Sequence, residues 1–154
     1  MLARSQLGTD PISNALWDAF EAGRVSLDWF GFQLTWNTLA ASAQAQQATV
    51  TIDPGIAFLL QDVNLVSYSA VGTQVNNPDY LLSIAEQSGA TFWVNTAMHV
   101  ALWTGGYRAG TGSNFPGHLS FPRYIRGNNT ITGSLTNNTA TAARVDCALL
   151  GVRV

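Results

Sequence analysis

From Val25 onward, apolar and polar positions alternate over short stretches, the period of a strand with one dry face and one wet face. The alternation is cleanest in two places. Ala48, Val50 and Ile52 alternate with Thr49 and Thr51, and Ile131 and Leu135 alternate with Thr130, Thr132, Ser134 and Thr136. Val, Ile, Thr, Phe and Trp recur between Gly, Pro, Asn and Asp punctuation, which predicts strands over residues 27–36, 47–52, 56–60, 62–71, 90–95, 97–104, 130–136 and 141–152.

The N-terminal stretch has a different period. In SNALWDAFEAG, Leu16, Trp17 and Phe20 fall on one helical face, Ser13 is placed to cap the N-terminus, and Gly23 is placed to end the helix. Residues before it, with Gly8 and Pro11, read as an extended arm. Residues 1–24 are therefore an arm and short helix ahead of one β-sandwich domain over 25–154. The arm either lies on its own sandwich or straps a neighbouring subunit.

Two connections are less regular. Asn76, Asn77, Pro78 and Asp79 form a strong turn, and the following YLLSIAEQSG is either a short helix or an irregular crossover, with Pro78 favouring a helical first turn. Residues 105–127 are rich in glycine and hold Tyr107, Phe115, Phe121 and Tyr124. A loop of that length usually binds something or packs on a neighbour, so it is the leading contact site. The whole inventory, about eight strands, predicts an all-β antiparallel sandwich of jelly-roll type. An immunoglobulin-like sandwich is the runner-up, without a cysteine pair bracketing a tryptophan to support it.

Composition changes the picture in one respect. Of 154 residues only 10% are charged, against roughly 25% in ordinary globular domains. A surface so poor in ions is suited to being covered by other protein. All seven basic residues are arginine, the cation that interfaces accommodate best, although biased codon usage accounts for that equally well. The net charge of −2 and the absence of a basic cluster argue against tight nucleic-acid binding. The N-terminus lacks the apolar run of a signal peptide and no segment is long enough to span a bilayer, so synthesis in the cytoplasm without a membrane is expected.

Candidate chemistry is sparse. His99 sits in the apolar run TAMHVALW, as a half-buried strand residue rather than a catalytic base, and His118 sits in the glycine-rich loop. With Cys147, a small core residue, these show none of the close pair spacings of a zinc site. Asp53, Asp62 and Asp79 stand beside turn residues, and Asn128 and Asn137 begin Asn-x-Thr triplets at turn-like sites where backbone geometry explains the asparagine. Neither catalytic residue, cofactor nor metal is expected. Most of the five tryptophans are expected in the core or at the sandwich ends.

The C-terminal stretch FPRYIRGNNTITGSLTNNTATAARVDCALLGVRV combines an arginine- and aromatic-bearing loop, a Thr-rich strand, an Asn turn and a last strand ending Gly-Val-Arg-Val. Over residues 121–154 it resembles small jelly-roll-like virion structural proteins of tailed bacteriophages. The resemblance implies a non-enzymatic component of the head, vertex or tail. Such a component is made in the host cytoplasm, assembles as a homo-oligomer (a trimer or ring) and docks on other virion proteins. The residue types enriched at interface centres single out Trp17, Phe20, Tyr107, Phe115, Phe121, Arg123, Tyr124 and Arg126 as contact residues. The alternative is a carbohydrate- or receptor-binding β-sandwich module, with aromatic side chains of the 105–127 loop facing sugars.

Overall fold

The computed structural model describes residues 4, 7–42, 44–75, 79–86, 91–93, 96–103 and 117–154. Helix α1 (Pro11–Glu21) opens the chain. Its cap is Asp10 rather than Ser13: the Asp10 carboxylate accepts from the Ile12 and Ser13 amides, each at 3.0 Å, and Pro11 takes the first helical position where no N–H is needed. Ser13 lies inside the first turn, buried, and adds its hydroxyl to the same carboxylate. Burial pushes the Asp10 carboxyl up, but the bonds from Ser13 and Ile12 outweigh it and hold its pKa below the ordinary 3.8. At the other end Gly23 adopts φ +67°, and the amides of Gly23 and Arg24 return to the carbonyls of Phe20 and Ala19, which closes the helix as expected.

The strands are β1 (Asp28–Leu39), β2 (Gln46–Thr51), β3 (Phe58–Ser69), β4 (Tyr80–Glu86), β5 (Thr91–Phe92), β6 (Met98–His99), β7 (Gly117–Ile125), β8 (Thr130–Asn137) and β9 (Ala143–Arg153), with a helical turn α2 (Val100–Trp103) after β6. They form two antiparallel sheets, ordered β1-β9-β3-β7 and β2-β8-β4-β5, with β6 also pairing β4. The pairs β1–β9, β2–β8, β3–β7 and β4–β5 nest inside one another along the sequence. The chain is thus one long hairpin wrapped around a barrel-like sandwich, with successive long strands crossing between sheets. That path is the jelly roll.

The core lies between the sheets. Phe32, Leu34 and Trp36 of β1, Phe58, Leu60, Val63 and Leu65 of β3, and Val145, Cys147 and Leu149 of β9 face Tyr80, Leu82 and Ile84 of β4 and Ile131 and Leu135 of β8. Phe32 and Phe58 meet edge to face at 5.0 Å. Gly133 is required where it stands, because a Cβ there would lie 2.8 Å from Leu34 Cδ1 and 2.9 Å from Trp36 Cη2. Tyr80 donates or accepts across the sandwich with the Ser67 hydroxyl at 2.9 Å. A satellite cluster of Leu7, Leu27, Leu59 and Val152 lies on the outer side of the first sheet, under Leu16, Trp17 and Phe20 of α1. Gln61 Nε2 holds the Leu7 carbonyl at 2.7 Å and ties the preceding arm to β3.

Several expectations are corrected. The segment after Pro78 is strand β4, not a helix, because Tyr80, Leu82 and Ile84 alternate and all enter the core. The predicted strand 97–104 is only two strand residues long and then turns helical, a spacing that sends both Val100 and Trp103 inward. Predicted strands 56–60 and 62–71 are one strand, β3, whose register shifts at Gln61 in both of its pairings, so Asp62 lies inside a strand rather than at a turn. The second half of the 105–127 loop is strand β7; residues 104–116 lie outside the described residues. Asn128, at φ +58°, and Asn137, whose side chain binds Thr139 N at 2.8 Å and Thr141 O at 2.9 Å, serve the backbone as expected.

Candidate assembly surface

The outer face of the second sheet is built by the Thr and Ser positions of the alternating strands. Thr51 pairs with Thr130, Thr49 pairs with Thr132, which pairs in turn with Ala85, Gln47 pairs with Ser134, which pairs in turn with Ser83, and Thr136 pairs with Leu81. The Thr51 and Thr130 hydroxyls lie 3.3 Å apart. None of these positions carries a formal charge. Strand β2 ends the sheet, holds an unbroken register against β8, and contains neither lysine, proline nor a bulge. The strand itself thus carries none of these residue-level devices, which ordinarily stop a sheet from adding another strand.

The outer face of the first sheet carries an apolar row across all four strands. Trp29 pairs with Val152, Val152 with Leu59, and Leu59 with Tyr124. The middle of the row is buried with the α1 side chains, whereas its ends are open, Trp29 at 48% and Tyr124 at 43% exposure. At the same end of the sheet but on its opposite face, Arg153 pairs with Asp28 at 3.1 Å and stacks over Phe30. Trp17 and Phe20 sit half-buried with ring centroids 5.3 Å apart. The Trp17 indole donates to Glu21 at 2.8 Å, and Arg4 lies over its face.

The residues of the PRYIR segment divide by strand alternation. Tyr124 faces outward, opposite Leu59, and Arg126 is exposed just beyond β7. Arg123, opposite Leu60, turns towards the other sheet, where its Nε meets Glu86 at 2.6 Å and its guanidinium lies over Trp93 at 5.3 Å. Glu86 also accepts from the Trp93 indole at 2.7 Å and from Asn129 at 3.1 Å. This cluster ties the edge of the first sheet to the second. Phe121 takes a place in β7, and Tyr107 and Phe115 lie outside the described residues.

Sequence reasoning passed over Trp29 and the hydroxyl-bearing face. Both had a signal. Trp29 is out of phase with Phe30 and Phe32, and the polar half of the β2 and β8 alternation contains no ionisable residue.

Among the described residues acid-base groups do not converge. His99 Nε2 and Asp79 stand 3.7 Å apart at the surface end of β4 and β6. Cys147 is fully buried, and loss of hydration pushes its thiol up to about 12, so it stays protonated and unreactive at neutral pH. Among the described residues no group of His, Cys, Asp and Glu is placed to hold a metal ion, and no helix is long and apolar enough to cross a membrane.

No protein-family profile and no curated protein sequence matches the chain. Among solved structures it is similar to the cyanophage Pam1 capsid asymmetric unit, with 19% identity, 80% of this chain and 82% of that chain covered, and a TM-score of 0.44. It is also similar to the infectious bursal disease virus VP2 subviral particle, at 12% identity over 83% of this chain and 32% of that one, with a TM-score of 0.43. A pentameric capsid protein from metagenomic phage sequences is matched at 14% identity over 73% of this chain and 61% of that one, with a TM-score of 0.27. The first and third are capsid structures and the second is a subviral particle. The jelly-roll assignment itself stands on the strand order and registers above.

Proposed function

We propose that the chain is a non-enzymatic structural protein of a virion that works by packing against copies of itself and against the particle. The observation that carries this reading is the uncharged Thr, Ser and Gln rows on the outer side of β2 and β8, together with an edge strand β2 that contains neither lysine, proline nor a bulge. Covering a charged surface strands ions away from water, at a cost of several kcal/mol per ion, roughly, when unpaired. Covering Thr, Ser, Gln and Ala costs far less, and the hydroxyls re-form hydrogen bonds across the joint. A neighbouring strand placed along β2 satisfies the remaining edge N–H and C=O groups and lays part of its own surface over the hydroxyl face. The exposed Trp29 and Tyr124 on the opposite sheet supply a second, aromatic contact of the kind that anchors interfaces. Repeated around a closed symmetry, individually weak contacts give a stable ring or shell, located in the virion.

Charge insertion tests this. Thr49 is exposed on β2, so Thr49→Lys disturbs no core residue. In light scattering after size exclusion, the unaltered chain is expected at a multiple of 16.5 kDa and Thr49→Lys at a lower mass with an unchanged circular dichroism spectrum. An assembly of identical size in the variant overturns the β2 contact.

A further inference from the structure

The outer face of the first sheet also holds an open cleft of about 560 Å³, within the size range of small-molecule sites, between the end of β1, the end of β3 and the start of β9. Its origin is a bulge. Trp36 pairs with Val145 and Leu39 with Ala143, so Asn37 and Thr38 together oppose the single β9 position Arg144. The extra residue disrupts the ladder there, and Asn37, Thr38 and Arg144 become lining groups. On the other side Arg144 pairs directly with Tyr68, the one aromatic among the described lining residues. The turn after β3 closes the wall. Ser69 N bonds Thr73 O at 2.8 Å, Gly72 N bonds Ser69 O at 2.9 Å, and Gln74 bridges back to Tyr68, so the wall is formed in advance.

We propose that this cleft binds a saccharide, and that it prefers a pyranose bearing a carboxylate. The lining combines what such a ligand needs. Tyr68 offers an apolar ring for the C–H face of a sugar, with a hydroxyl at its tip. The Asn37 amide and the Thr38 hydroxyl each donate and accept, as a pair of neighbouring sugar hydroxyls requires. Arg144 engages Asp146 through Nε at 3.2 Å, which leaves its terminal amino groups to fork a carboxylate. Asp146 is itself held by Gln33 and Thr35, each at 2.9 Å, so its charge is spread over three partners rather than turned on the ligand. Among the described residues no aspartate or glutamate lines the cleft, which leaves binding without the carboxylate pair that glycoside hydrolysis uses.

The test is a titration of the full isotope-labelled chain with glucuronic acid and, separately, glucose, followed by amide resonances. Shifts are expected at Gly72 and its neighbours around the cleft, with glucose roughly tenfold weaker than glucuronic acid. Arg144→Gln is expected to erase that difference while leaving glucose binding in place. Ala70→Trp, which fills the cleft from an exposed turn position, is expected to abolish both without touching the core. Absence of shifts with either sugar, equal affinity for the two, or shifts that persist in Ala70→Trp overturns the proposal. Light scattering on the same samples reports assembly separately, so failure here leaves the packing reading unaffected.

Discussion

Individual side chains set how closely the two sheets approach. Trp36 spans the sandwich, reaches Gln46 O with its indole N–H at 2.8 Å, and rests where Gly133 has no side chain. Gly133→Ala is expected to destabilise the fold by about 1–3 kcal/mol through overpacking, measured as a lowered midpoint in urea at unchanged slope. Cys147 adds a pH dependence of definite sign. Its thiol ionises near 9.0 when the chain is unfolded and near 12 when folded, so its contribution is complete below 9.0. As pH rises from there the unfolded state loses its proton first and stability falls, until the folded thiol ionises as well. A urea series across that window is expected to show the fall, and Cys147→Ala a shallower one. An equal slope in both proteins would assign the effect to other groups.

At the level of elements, α1 depends on a carboxylate rather than on the serine that sequence pattern suggested. Both residues stand in the same four-residue stretch, and a preference scale for capping residues does not choose between them. The choice comes from Pro11, which fits the first helical position only if Asp10 is the cap. Asp10→Ala is expected to cost about 1 kcal/mol, read from thermal or urea unfolding. Because the folded Asp10 pKa lies below 3.8, its stabilisation is present above that value and is lost as pH falls through the folded pKa. Asp10→Ala should therefore lose less stability than the unaltered chain on acidification. The strands with strict alternation, β2 and β8, were legible to within about a residue or two at each end. Those misjudged, β4 and the stretch from β6 to α2, are short apolar runs in which a helix and a buried strand share the same residue types, and only packing decides. The candidate site was less legible than the fold. Alternation gives Tyr124 an outward and Arg123 an inward place, but sequence does not reveal that Glu86 waits across the sandwich for Arg123.

For the molecule as a whole, low charge and jelly-roll topology act together. A sandwich of this path buries one face of each sheet and leaves the other two outward; here one outer face carries uncharged Thr, Ser and Gln rows along β2 and β8, and the other is crossed by α1 with an aromatic residue at each end of its apolar row. A solitary molecule would hold both in water with few ions for solubility. The closed association proposed above would cover them and account for the composition. The direct measurement is the solution mass of the unaltered chain across a wide concentration range by light scattering. The account predicts a discrete oligomer, a whole multiple of 16.5 kDa that persists on dilution; a homogeneous 16.5 kDa monomer at every concentration would contradict it.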